Sequence, residues 1–469
     1  MVKKIILLPL LAMILSTQAQ TPFLGLWEGK MNAGVELRMI FHFSQDASKN
    51  LIAKMDCPDQ GIKDVQASTF LIKDDSIYLE ISQFQLKYSG RLTSDSVITG
   101  LFQQGIPLPL NFKRIDKVAQ LKRPQTPVGP FPYIVEELVY SNIDKTINYG
   151  ATITIPNGRG PFPAVLLLTG SGQQNRDEEV MGHKPFAVIA DRLTRHGFIV
   201  LRVDDRGMGK TTGDVFSATT RDFADDAIVS LNYLRNRNEV DKNKIGLIGH
   251  SEGGMIAQII AAERKDIYFV IMLAAPGENN MKLMSDQNEA ILTKSGMPKE
   301  YIDAYIPFYN QMLSTIILAD EASQMDSVKK LVDKWVANTP ARIVMATTGI
   351  KDEITETNFV NQFVGQVGRP WFKYFLQYDP SVNMKKISAS MLALNGSKDI
   401  QVVSKSNLMA IEAALKNGKS KRYLVKELAG LNHLFQECHT CTVNEYTKLE
   451  QTISPVLLNA ITDWMKEIL

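Results

Sequence analysis

Two kinds of hydrophobic patterning divide the chain. From 21 to 115, apolar and polar residues alternate in short runs: Glu36–Phe43, Ser76–Ile81, Phe84–Tyr88 and Ser96–Phe102, with turn residues between them at hairpin-like intervals. A period of two sends alternate side chains to opposite faces of a strand, so 20–115 predicts a small antiparallel β domain, a barrel or a sandwich. From about 134 the apolar runs become continuous, at Ala164–Thr169, Phe198–Val203, Lys244–Ile248 and Tyr268–Ala275. Strands apolar on both faces belong inside a parallel sheet. Glu136–Ser141 and Thr152–Ile155 read as opening strands, and Phe186–His196 and Arg221–Arg235 as helices between the buried strands. Repeated strand–helix units predict an α/β fold, doubly wound and mostly parallel.

The two regions meet at 116–133, where Pro124, Pro127, Pro130 and Pro132 forbid helix and favour an extended linker. Within 134–469 the alternation stops at 278–387, too long a stretch for a structureless connection. Tyr301, Tyr305, Phe308 and Met312 share one helical face there, and Val328, Leu331, Val332 and Trp335 another, so this insert reads as a helical cap. The strand pattern resumes at Ser390–Asn395 and Arg422–Glu427, with helices at Asn407–Leu415 and Pro455–Ile468.

At 469 residues, two or three domains are expected, and 45% hydrophobic with 22% charged residues is a foldable composition. The net charge of +2, without a basic stripe, gives nucleic-acid binding no electrostatic support. Residues 1–19 have the basic start, short apolar run and small-residue cleavage site of a signal peptide. No other stretch is long and apolar enough to span a bilayer, so the expectation is an exported chain, periplasmic or secreted, without a membrane span once processed. Export permits disulfides. Cys438 and Cys441 are spaced as a local staple or as two thiols, and Cys57 is left over. No metal-ligand set or cofactor motif is present in the pattern, so none is expected.

The densest chemical signal is Gly249-His250-Ser251-Glu252-Gly253, a G-x-S-x-G at the junction of an apolar strand and a helix. Glycines are required where the two backbones approach closely, and the turn exposes the serine hydroxyl beside a helix N-terminus. A serine hydroxyl needs a base, and the base an orienting carboxylate. After Ser251 the histidines are His433 and His439; His433 lies just past the last strand, whereas His439 sits between the two cysteines. Asp399 leaves its strand through Gly396-Ser397-Lys398, between Ser251 and His433 in the chain, with Asp379 a weaker rival. Backbone donors for an oxyanion are expected from Glu252 and from Ser171 in the loop after 164–169, with Gly172 next. Asp204-Asp205-Arg206 reads as a structural loop. Trp371, Phe372 and Phe375 in the aromatic run 370–378 are candidates for an apolar acyl pocket, although each taken singly reads first as cap core.

Thr169–Gly172, Asp205–Gly207, Gly249–Gly254, Gly396–Asp399 and Asn432–Phe435 together resemble the α/β-hydrolases, in particular exported bacterial carboxylesterases related to dienelactone hydrolases and prolyl-oligopeptidase-like serine hydrolases. The resemblance covers about 130–469. It implies Ser251 as nucleophile, His433 as base and Asp399 as acid, acting on small carboxylic esters through an acyl-enzyme. Two alternatives remain: an exported peptidase or amidase using the same groups, and a binding protein on an inactive hydrolase fold. The front domain lies outside the resemblance and is read as a structural or interaction module rather than a ligand pocket. Oligomeric state is not legible.

Overall fold

The computed structural model describes residues 22–32, 36–60, 62–104, 106–118 and 121–469; the signal-like residues 1–19 lie outside these. The first sheet holds β1 (Gly25–Asn32), β2 (Glu36–Gln45), β3 (Leu51–Cys57), β4 (Ile62–Gln66), β5 (Thr69–Lys73), β6 (Ser76–Ile81), β7 (Leu86–Ser94), β8 (Val97–Gln104), β9 (Ile106–Pro109) and β10 (Phe112–Ile115). Its order is β4-β3-β2-β1-β10-β8-β7-β6-β5, with β9 paired to β8, and every pairing is antiparallel. Alternate side chains turn inward to a core of Trp27, Phe41, Tyr88 and Phe112, with Phe41 and Phe112 stacked at 4.5 Å. Where alternation predicts one strand over Phe84–Tyr88, the chain makes a 3-10 turn at Ser82–Phe84. Gln85 then reverses it with φ of 50°, and the strand begins at Leu86.

The second sheet holds β11 (Tyr133–Ser141), β12 (Asn148–Pro156), β13 (Phe162–Leu168), β14 (Ile199–Val203), β15 (Val240–His250), β16 (Phe269–Leu273), β17 (Ser390–Gly396) and β18 (Tyr423–Leu428), in the order β11-β12-β14-β13-β15-β16-β17-β18. The pairings β11–β12 and β12–β14 are antiparallel and the rest parallel. Strands β13 to β17 are buried on both faces. One face is covered by α1 (Pro185–Arg195) through Phe186 and Ile189 and by the C-terminal helix Pro455–Ile468 through Leu457 and Trp464. On the other, α2 (Thr220–Arg235), α3 (Glu252–Glu263) and the helix Ser404–Lys416 contribute Leu231, Ile259 and Ile411. Two covered faces of a parallel sheet leave its carboxyl edge as the place where side chains from several strands can meet.

Between β16 and β17 the chain forms seven helices: α4 (Asn280–Lys294), α5 (Lys299–Leu318), α6 (Gln324–Asn338), α7 (Ala341–Thr348), α8 (Glu353–Val367), α9 (Pro370–Gln377) and α10 (Pro380–Met384). They carry a core of their own around Phe308, Met312, Val328 and Val332, and Trp335 stacks on Phe308 at 4.2 Å.

The front sheet is built into the second unit rather than tethered to it. Its core includes Met181, Leu434 and Tyr446 from the α/β part. The guanidinium of Arg123 donates to the carbonyls of Met181 at 2.6 Å and Leu449 at 2.9 Å, and Gln125 donates to Ile453 at 2.8 Å. Beneath them His183 is buried against Thr452 and the Tyr446 carbonyl, and burial depresses its pKa to about 4, so the ring is neutral. Cys438 and Cys441 form a disulfide, while Cys57 is free and buried, its thiol pushed up to about 12 by desolvation. Among the described residues no helix is long and apolar enough to cross a membrane.

Candidate active site

Strand β15 ends at His250 and α3 begins at Glu252, so Ser251 alone makes the turn, with φ of 53° and ψ of −120°. Such backbone is strained for a residue with a Cβ and persists only where its surroundings enforce it. Here the enforcement is the close approach of strand and helix. A Cβ at Gly249 would overlap the Gly253 carbonyl, and one at Gly253 would overlap the carbonyl of Leu168 on β13. The Ser251 N–H donates to the Leu273 carbonyl at 2.8 Å, which pins the turn to β16.

Asp399 follows β17 through a tight turn closed by its own N–H on the Gly396 carbonyl at 3.1 Å. Its carboxylate is buried; Oδ1 accepts the N–H groups of Gln401 at 2.7 Å and Val402 at 2.9 Å, and Oδ2 lies 2.7 Å from His433 Nδ1. Two backbone donors hold the carboxylate in place, so the imidazole that it meets is held as well. His433 comes from the loop after β18, a tight turn in which Asn432 exchanges hydrogen bonds with Gln436 and Phe435 takes φ of 58°. His439 is placed elsewhere, in the disulfide loop, where its N–H donates to Glu445 at 2.9 Å. Asp379, the rival carboxylate, caps α10 by accepting the Ser381 N–H at 2.9 Å.

Among the described residues Ser251 and His433 are not directly hydrogen-bonded. Their backbones are joined through His250, whose ring faces that of His433 at 4.7 Å between centroids. His250 Nε2 lies 3.0 Å from the His433 carbonyl oxygen, and Nδ1 lies 3.0 Å from Glu178 Oε1. Both partners are acceptors, so both ring nitrogens must carry protons. Burial opposes that charge, but the Glu178 carboxylate and the His433 carbonyl outweigh it, and the pKa of His250 is raised. The same Glu178 oxygen accepts the Gly170 N–H at 2.7 Å. One carboxylate therefore ties the loop after β13, the elbow, and the loop of His433.

Glu252 supplies an amide at the start of α3 and a wholly buried carboxyl group. Burial pushes its pKa up to about 7, against the opposing hydrogen bonds from Thr220 at 2.6 Å and the Trp371 indole N–H at 2.7 Å. Beside it, Asp205 accepts from Thr169 Oγ1 at 2.7 Å and the Gln174 N–H at 2.8 Å. Desolvation, with Glu252 and Glu178 nearby, raises its pKa well above the usual carboxylate range. Asp204 is paired with Arg176, whose Nη2 lies 2.6 Å away.

Beside Trp371, which reaches Glu252 at the start of α3, lies a cleft of about 390 Å³ lined by Ser171, Gly172, Arg369, Trp371 and Phe372. Of the three aromatic candidates, Trp371 and Phe372 face this space. Phe375 does not line it: one turn further along the same face of α9 as Trp371, with rings 5.5 Å apart, it is buried in the sheet's core. Sequence reasoning missed Glu178 and the tie through His250. The second was visible as the residue before Ser251. The first carried no signal, since Glu178 sits in an irregular loop with φ of 52°.

Residues 183–350 match the family described as serine aminopeptidase, S33. That stretch holds the serine turn at the end of β15. The chain is a hydrolase with the α/β-hydrolase fold. The hydrolase is 27% identical to esterase EstD of Thermotoga maritima over 392 residues, which span 82% of this chain and 79% of that one. It is 21% identical to cutinase est1 of Thermobifida alba over 256 residues, 53% of this chain and 72% of the other. Among solved structures it is similar to the Pyrococcus furiosus esterase PF2001, at 14% identity and a TM-score of 0.42, covering 74% of this chain and 98% of that one.

Proposed function

We propose that this hydrolase is an exported serine carboxylesterase that cleaves small carboxylic esters. Ser251 Oγ attacks the ester carbonyl while His433 Nε2 takes its proton, and Asp399 holds the imidazole in the tautomer that leaves Nε2 free to accept. The carbonyl oxygen gains charge and is met by the amides of Glu252 and Ser171. Gly170 is unsuited to that part because its N–H is already taken by Glu178. The C–O bond to the alcohol breaks as His433 returns the proton, and water repeats the sequence to free the acid. The Ser251–His433 hydrogen bond forms in the substrate complex, where such bonds commonly tighten. In this reading the helical insert is a cap, with Trp371 and Phe372 over the acyl group.

The observation that carries the proposal is the 2.7 Å pairing of His433 with a buried, doubly anchored Asp399 at the sheet edge where the elbow sets a half-buried Ser251. The matched family description favours a second reading, an aminopeptidase. Such an enzyme needs a carboxylate for the substrate ammonium, and the residues lining the cleft include Arg369 and no acidic side chain. Likeness to esterase EstD across most of both chains supports the ester reading. The Cys438–Cys441 disulfide suits the oxidising compartment that export implies.

The test is a substrate panel with an active-site label. A fluorophosphonate should label the parent chain and not Ser251→Ala. p-Nitrophenyl acetate and butyrate should be turned over at least tenfold faster than aminoacyl anilides; anilide turnover equal to or faster than ester turnover overturns the proposal in favour of the peptidase. N-terminal sequencing of the exported protein should begin at Gln20.

A further inference from the structure

The interior of the front β domain is not fully packed. A cavity of about 190 Å³ lies among Met31, Met39, Met55, Phe84 and Phe102. Protein cores hold few voids larger than a water molecule, so a space of this size leaves room for a guest. Its walls are mixed, apolar side chains with Cys57 and three glutamines among them, and two of the polar groups satisfy each other: the Cys57 thiol donates to Gln60 Oε1 at 3.4 Å. Methionine is flexible and polarisable, and a methionine-lined wall adapts to hydrocarbon chains without demanding one shape.

The cavity is not sealed from the rest of the molecule. At its open side stand Gln104 from β8 and two residues of the α/β part, Gln173 and Met208. Gln104 and Gln173 also line the cleft that holds Ser171 and Trp371. The two spaces thus share a wall made of one residue from each domain. Gln173 is two residues beyond Ser171, at most about 7 Å of backbone. Both glutamine amides are held by backbone carbonyls, Gln104 by Phe84 at 2.8 Å and Gln173 by Arg206 at 3.0 Å, so the shared wall is fixed in place.

We propose that the interior of the front β domain is a binding site for the hydrocarbon tail of the substrate: an ester of a medium-length aliphatic acid places its carbonyl at Ser251 and threads its chain past Gln104 and Gln173 into that hollow. The inference rests on the ester-hydrolase reading. It makes the front domain a part of substrate recognition, and explains why that domain shares its core with Leu434, next to His433, instead of hanging on a free linker.

The experiment uses the full chain. For p-nitrophenyl acetate, butyrate and octanoate, kcat/KM should rise with chain length by up to about fourfold per buried methylene. Met39→Trp fills the cavity and should lower the octanoate-to-acetate ratio at least tenfold; if Met39→Trp does not fold, Gln104→Trp at the passage gives the same readout. Cis-parinarate should bind one-to-one to the Ser251→Ala chain, with fluorescence displaced by octanoate, and should not bind when Met39→Trp is added. An unchanged ratio in a folded Met39→Trp, or parinarate binding that ignores it, overturns the inference and leaves the ester reading standing. That reading fails separately, on acetate alone, if its hydrolysis does not depend on Ser251.

Discussion

The Nδ1 of His250 and the Oε1 of Glu178, 72 residues apart in the chain, are 3.0 Å apart inside the protein. The pair carries opposite charges in a buried place, and each partner holds a different loop of the site. The pKa of His250 is raised in the folded chain, so the folded state binds this proton more tightly than the unfolded one does. The stabilisation is therefore fully present below the unfolded histidine value, about 6.5, and is lost as pH rises through the raised pKa. Glu178→Gln keeps an acceptor but removes the charge. It should cost about 3 kcal/mol between pH 5 and 6.5, and less at pH values above the raised pKa, in denaturant unfolding followed across that range.

Glu252 gives the opposite sign. Its carboxyl group sits at about 7 because burial disfavours the charge, so folding is penalised increasingly as pH climbs from the unfolded glutamate value, about 4.3, through 7. Glu252→Gln removes the penalty while its amide oxygen can still accept from Thr220 and Trp371. The variant's melting temperature should equal or trail the parent's at pH 5 and exceed it at pH 8. A gap that does not grow with pH would count against burial as the cause.

Asp399→Asn should leave the fold intact, since Asn Oδ1 can still accept from Gln401 and Val402. The amide turned toward His433 would favour the wrong imidazole tautomer, and kcat for p-nitrophenyl butyrate should fall by about 10⁴. Circular dichroism and a thermal melt on the same sample separate this from unfolding.

Trp371→Phe keeps the ring stack on Phe375 but deletes the N–H that reaches Glu252. Losing a hydrogen bond to a buried carboxylate costs about 1.5–3 kcal/mol, and the cost should be larger at pH 8 than at pH 5, where Glu252 is protonated. Calorimetric melts at the two pH values are the measurement.

Gly253→Ala should fail outright. The added methyl would occupy the space of the Leu168 carbonyl, which is backbone and cannot rotate away. Soluble yield and the fluorophosphonate label should both be lost, whereas Gly172→Ala, with nothing near its Cβ, should cost only the strain of a positive φ.

Local pattern carried a good deal. Continuous apolar runs mark β13 to β17 because a strand covered on both faces has no polar side to show. The elbow is legible because its glycines are adjacent in sequence to the serine they serve. Asp399 and His433 could be proposed because each follows a strand, and parallel strands deliver their ends to one edge. The aromatic run was less legible: Trp371, Phe372 and Phe375 look alike in composition, and only their depth along α9 divides the two that line the cleft from the one in the sheet's core.

What the chain determined alone were the parts whose physics is short-range: strand burial, the steric demand of the elbow, the order of Ser251, Asp399 and His433. Tertiary structure decided the rest. Glu178 meets His250, Trp371 meets Glu252, and Gln104 meets Gln173 only because separate loops and domains pack together, and no periodicity or spacing records a meeting between segments that share no local pattern. The hollow in the front β domain belongs with these, since alternation announces an inward face but cannot say whether the inward side chains fill the space they enclose.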